Sequence, residues 1–100
     1  MPKLIVLYPA PKDPADFAKA FREEHAPLVK AQLPTVRAFE AGPVTPAPGT
    51  STPFHWIAEL SFDSLDALKN AVGSPGGLRA AGHARQISTG GEPTMLILDS

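Results

Sequence analysis

The chain has no cysteine, which excludes disulfides, thiolate metal sites, iron–sulfur clusters and cysteine nucleophiles. It also lacks any block of like charge. Its 9 Lys and Arg residues nearly balance its 10 Asp and Glu residues, for a net charge of −1. This balance argues against a nucleic-acid groove or an anionic membrane surface. No apolar run approaches the ~20 residues of a spanning helix, and Lys3–Tyr8 is too short for a signal-peptide core. We therefore expect a cytoplasmic protein whose partners are small molecules or proteins.

The residues that are present suffice for one hydrophobic core. The 100 residues are 43% hydrophobic and 19% charged, with five Phe, Trp56 and Tyr8. A chain of this length supports one domain and not two. We expect a single globular domain over residues 1–100.

Apolar patterns predict the element order β-α-β-β-α-β. Predicted strands cover Lys3–Tyr8, Val36–Ala41, Phe54–Phe62 and Thr94–Leu98. Asp13 followed by Pro14 starts the first helix, and Pro27 should make it kink or restart after His25. The second helix starts at Asp63 or Ser64 and ends at Gly73, and a short, soft helix weakened by three glycines follows from Ser74 to about Arg85.

This order folds through right-handed crossovers into a ferredoxin-like α+β domain, a four-stranded antiparallel sheet with its helices on one side. The other sheet face is then bare. The first and last strands are apolar on both faces, and Ile57 adds an apolar side chain there. Since exposing a large apolar sheet face to water is unfavourable, we expect a homodimer in which two sheets close into a dimeric α/β barrel.

His25 is the main candidate for chemistry. It lies near the apolar face of the first helix, at the wall of a predicted pocket, and beside the Pro27 break. An imidazole can act as a general base at neutral pH, and a carbonyl freed by the break could set its tautomer. The alternative is a helix-end histidine with a purely structural hydrogen bond to that carbonyl.

The other candidates would shape a pocket. Tyr8 ends its strand and could donate to a substrate oxygen at the pocket mouth. Phe21, Phe39 and Trp56 could line a hydrophobic cavity, although a small core needs such residues anyway. His55 points to the opposite strand face, toward the barrel interior or its rim, and could bind substrate there. The third histidine, in the soft helix, is predicted to lie on the surface.

One segment carries a family resemblance. Residues Phe17 to Val29 contain the aromatic-rich H-x-P-L signature of the EthD family's first helix, here His25-Ala26-Pro27-Leu28. Lys3–Tyr8 resembles the family's opening strand, and Ala58–Leu65 resembles its third strand and the start of the next helix. Ser74-Pro75 and Gly90-Gly91 fall at later family positions, so the resemblance covers nearly the whole chain.

The resemblance implies a dimeric α/β barrel that holds a small hydrophobic, oxygen-bearing molecule between helices and sheet, with His25 as the site residue. Similar barrels include cofactor-free isomerases, cyclases and monooxygenases, so no cofactor is expected here. Phe21 stands where many members have tyrosine, which leaves Tyr8 as the only phenol. Two alternatives remain open, which are a non-catalytic carrier or oxygenase accessory protein and a haem-binding barrel that uses His25 or His55.

Overall fold

The structure, a computed structural model, describes residues 1–100 and has the predicted ferredoxin-like plan. One antiparallel sheet has the strand order β2-β3-β1-β4. Its elements in chain order are β1 Lys3–Pro9, α1 Pro14–Ala20, a π turn Phe21–His25, α2 Ala26–Gln32, β2 Ala38–Pro43, β3 Phe54–Ser61, α3 Leu65–Gly73, α4 Pro75–Ile87 and β4 Thr94–Leu98.

The two faces of the sheet differ in what covers them. On the helix side, Tyr8 of β1 pairs with Trp56 of β3, and both side chains are buried. On the other side, the single chain leaves an apolar face that we call the open sheet face. It carries Ile5, Leu7, Ile57, Leu96 and Leu98, of which Leu96 is 51% exposed and Leu98 is 47% exposed.

The first helical segment restarts where the sequence predicted. The Asp13 carboxylate caps α1 by accepting hydrogen bonds from the backbone N–H groups of Ala15 and Asp16 at 3.0 and 3.1 Å. The segment then widens into the π turn, in which the Ala26 N–H donates to the Phe21 carbonyl five residues earlier. Helix α2 begins directly after His25.

The second strand lies two residues later than predicted. The Val36 N–H bonds back to the Leu33 carbonyl at 3.2 Å, so the chain is still turning out of α2 at this point. Arg37 precedes the strand and forms an ion pair with Asp63 at 2.7 Å. Its guanidinium holds the pKa of Asp63 below the ordinary value, mainly through the side-chain hydrogen bond.

The last helix, α4, spans Pro75–Ile87, close to the predicted span from Ser74 to about Arg85. Two of its glycines permit close helix packing, which local helix propensity does not indicate. A Cβ at Gly77 would overlap the carbonyls of Ala71 and Val72, and one at Gly76 would overlap the carbonyl of Gln32. The glycines therefore let α4 approach α2 and α3, which positions the side chains that α4 turns toward the first helix.

Substituting two glycines of α4 by alanine should have opposite effects. Gly77→Ala should lower the free energy of unfolding by about 1–3 kcal/mol, because the new methyl group meets backbone that cannot move freely. Gly82 has open space at the same position, so Gly82→Ala should raise that free energy by about 0.5–1 kcal/mol. Urea unfolding followed by circular dichroism measures both, and equal effects would contradict the packing role of Gly77.

Candidate functional site

A mostly apolar cavity lies between the sheet and the helices. Its free volume is about 50 Å3, several times the ~10–15 Å3 that holds one water molecule. Residues of β1, β2, β3, β4, α2, α3 and α4 line it, together with His25 at the end of the π turn. The enclosed space therefore suits a few heavy atoms of a small organic molecule.

His25 forms a hydrogen-bonded pair with His83 of α4. The two Nδ1 atoms are 2.9 Å apart, and the rings lie nearly parallel with their centroids 5.1 Å apart. His25 is 5% exposed and His83 is half-buried. The predictions of a backbone carbonyl as the partner of His25 and of a surface position for His83 were both wrong. The close approach of α4 to the π turn brings the two rings together.

A single proton can occupy the short Nδ1–Nδ1 contact, so one ring donates and the other accepts. The pKa of His25 is lowered to about 4, mainly by burial and to a lesser extent by the neighbouring His83. His25 is therefore neutral at physiological pH. A neutral imidazole that donates through Nδ1 keeps a free lone pair on Nε2, as a general base requires.

Tyr8 supplies a hydroxyl to the same cavity. Its side chain is 1% exposed, and burial raises its pKa above the ordinary value, so the phenol stays protonated at neutral pH. Neither Tyr8 Oη nor His25 Nε2 has a hydrogen-bond partner in the protein, yet neither atom is completely enclosed. Both residues line the cavity.

The remaining predicted pocket residues occupy three different places. Phe39 lines the cavity. Phe21 and Trp56 stand outside it, with ring centroids 5.2 Å apart, and Phe21 also lies 5.2 Å from the His25 ring. His55 lies on β3, half-buried on the open sheet face and away from His25. Of these four residues, the structure therefore brings Phe39 to the cavity and Phe21 against the histidine.

The cavity does not fit haem, because its free volume is a small fraction of that of a porphyrin and His83 already occupies one nitrogen of His25. The chain also contains no cluster of three or more His, Asp or Glu side chains that could hold a metal ion. None of its helices is long and apolar enough to cross a membrane. The predicted cytoplasmic location stays a prediction.

One protein family matches most of the chain. The chain belongs to the EthD family, whose domain matches residues 10–88. It is 34% identical over 99 residues to an uncharacterized 11.0 kDa protein of Rhodococcus erythropolis encoded in the thcB-thcC intergenic region. That match covers 99% of this chain and 94% of the relative.

Solved structures support the same assignment. An EthD family protein from Bacillus halodurans C-125 superposes with a TM-score of 0.87 at 26% identity, over 100% of this chain and 98% of that one. A dimeric ferredoxin-like protein of unknown function from Jannaschia sp. CCS1 gives 0.69 at 20%, covering 99% and 97%. A hydroxynitrile lyase from Passiflora edulis gives 0.73 at 14%, covering 97% and 90%. The last two likenesses show the fold alone.

The lowered pKa of His25 should make the protein less stable in weak acid. The unfolded chain binds this proton near pH 6.5 and the folded protein near pH 4. The stability present above pH 6.5 is therefore lost as the pH falls from 6.5 to 4, by at most about 3 kcal/mol for this group. Urea unfolding at a series of pH values should show this loss in the wild type and a shallower one in His25→Gln. If the free energy of unfolding falls equally with pH in the wild type and in His25→Gln, the loss of stability does not come from His25.

Proposed function

We propose that this protein binds a small hydrophobic molecule bearing a carbonyl oxygen and transfers a proton on it, as in a cofactor-free isomerase, cyclase or lyase. The observation that carries the proposal is that buried His25, which is hydrogen-bonded to His83, lines a mostly apolar cavity together with Tyr8. Base, donor and apolar enclosure are the three parts that proton abstraction next to a carbonyl needs.

In the proposed reaction, His25 Nε2 removes a proton from the carbon next to the carbonyl group. The C–H bonding electrons move into the adjacent C–C bond, and the carbonyl oxygen becomes an enolate oxygen. The Tyr8 hydroxyl donates a hydrogen bond to that oxygen, which lowers the cost of its charge in an apolar cavity. Returning the proton from Nε2 to another carbon completes an isomerisation. If solvent first replaces the proton on Nε2 by a deuteron, delivery of that deuteron to the original carbon completes an exchange.

His83 acts as a relay in this scheme. When Nε2 of His25 takes the substrate proton, the buried ring becomes positively charged, which burial opposes. The proton on Nδ1 of His25 can then move 2.9 Å to Nδ1 of His83, whose ring is more exposed. The charge thereby leaves the buried ring while the substrate proton stays on Nε2. His83 is thus a positioning and relay residue.

Deuterium exchange tests the chemistry without knowledge of the natural substrate. Cyclopentanone incubated with the protein in D2O should lose its α-proton signals in 1H NMR faster than in buffer containing an equal concentration of free imidazole. His25→Gln should bring the rate down to that of the imidazole blank. His83→Gln should lower the rate at least about tenfold and change its pH profile, because the charge then stays on the buried ring.

Glu24→Gln provides the matched control for this experiment, because Glu24 is adjacent to His25 in sequence but exposed to solvent. Its exchange rate should equal that of the wild type. Exchange at the wild-type rate in His25→Gln would overturn the catalytic role. Binding of cyclopentanone without exchange, retained in His25→Gln, would favour the second candidate function of a carrier, which the apolar lining of the cavity also suits.

We also propose that the protein is a homodimer joined through the open sheet face. That face exposes Leu96 and Leu98 beside Ile5 and Ile57, which form an apolar patch on an otherwise hydrated surface. A second copy placed face to face would bury both patches in one step. The dimeric description of the Jannaschia protein, which has the same fold, supports this arrangement.

Native mass spectrometry should record twice the monomer mass for the wild type and the monomer mass for Leu96→Glu, which places a charge in the proposed interface. The control is Leu78→Glu, which introduces the same charge at a residue of α4 that is 65% exposed on the helix side. This variant should remain a dimer. A monomeric wild type would refute the dimer. If only Leu78→Glu dissociates, the dimer interface lies on the helices and not on the open sheet face.

A further inference from the structure

A second depression lies next to the cavity, between α2 and the edge strand β2, and we call it the outer cleft. Its volume is about 200 Å3. Its walls are Phe21, Phe39, Trp56 and the small Ala41, with Arg22 and Lys30 on the helix side. Phe39 also lines the inner cavity, so one aromatic ring borders both spaces.

The two cations of the outer cleft have no counterion. The two ion pairs of the chain join Lys3 to Glu59 and Arg37 to Asp63, and no carboxylate lines the cleft. The Arg22 guanidinium carbon lies 5.2 Å above the Trp56 ring, so the aromatic surface holds this charge over the opening. Arg22 and Lys30 are eight residues, or about two turns, apart on the same helical segment and line the same cleft.

The ring of Trp56 adds an unsatisfied donor. Trp56 is 2% exposed, and its Nε1 is the one fully buried side-chain nitrogen or oxygen in the chain without a hydrogen-bond partner. A buried donor without an acceptor costs roughly 1–3 kcal/mol, so the protein keeps an unfavourable group beside two free cations. The two cations are complementary to one kind of ligand, an anion with acceptor oxygens.

We propose that the outer cleft binds the carboxylate of the ligand whose apolar part enters the inner cavity. This inference rests on the proposed ligand cavity and narrows its ligand class to organic acids with an apolar, carbonyl-bearing part. The carboxylate would be held between Arg22 and Lys30, while Phe39 contacts the chain that joins the two ends. The two cations then determine specificity, and His25 has no part in binding the anion.

Hexanoate and 1-hexanol form a matched pair of probes, since they share an alkyl chain and differ in charge. The chain has one tryptophan, so the Trp56 indole N–H gives a single reporter resonance in 1H–15N NMR spectra. Titration of the full chain at pH 7.5 should give a Kd for hexanoate at least about tenfold below that for 1-hexanol. Added salt should weaken hexanoate binding and leave 1-hexanol binding unchanged.

The double variant Arg22→Gln/Lys30→Gln should bring the two Kd values within about twofold of each other while 1-hexanol binds as before. Lys19→Gln is the control, because it removes a charge from an exposed residue of the same helical segment outside the cleft. It should keep the preference for hexanoate. The same spectra report whether each variant is folded.

Equal Kd values for the two probes in the wild type would overturn the anion site but not the proposed ligand-binding role of the inner cavity. A preference for hexanoate that survives in the double variant would also overturn it, since the anion would then bind elsewhere. If neither probe binds, both the anion site and the proposed ligand cavity are refuted.

Discussion

The packing of one aromatic row on the sheet organises the rest of this protein. Tyr8 and Trp56 are register partners on adjacent central strands, and the Phe17 ring meets them at centroid distances of 5.1 and 5.5 Å. Phe21 follows one helical turn later at 5.9 and 5.2 Å. These edge-on and tilted contacts determine how the first helical segment lies on the sheet. The π turn starts at the last ring of the row, so its final residue, His25, is directed toward α4 and the cavity.

The chemistry of the site depends on a contrast between two similar side chains. Burial lowers the pKa of His25 and so keeps its ring neutral, whereas the His83 ring lies closer to solvent. The glycines of α4 contribute at a distance, because their lack of a Cβ lets the start of this helix pack against α2 and α3, and the same helix carries His83 to His25. A packing constraint thus creates the hydrogen bond from which the proposed proton transfer follows.

In the proposed scheme, ligand recognition and reaction lie in separate places. The mostly apolar inner cavity is lined by His25 and Tyr8, while the outer cleft carries the unpaired charges of Arg22 and Lys30. Phe39 borders both spaces. A ligand that spans them would have its apolar part in the dry region, where electrostatic effects on the reacting atoms are strong, and its charge at the solvated edge, where desolvation costs little.

The sequence by itself determined the element order, the helix start at Asp13, the helix restart after His25 and the apolar open sheet face, because local propensity and hydrophobic period decide these features. It also led to the prediction of His25 as the site residue, from its place near the apolar face of the first helix and from the H-x-P-L signature. The partner of that histidine was decided by the tertiary structure alone. His83 is 58 residues away in the chain, in a glycine-containing segment whose local propensity indicated a weak surface helix. The sequence predicted a helix here, but only the close packing of α4, which local propensity does not encode, brings its histidine against His25.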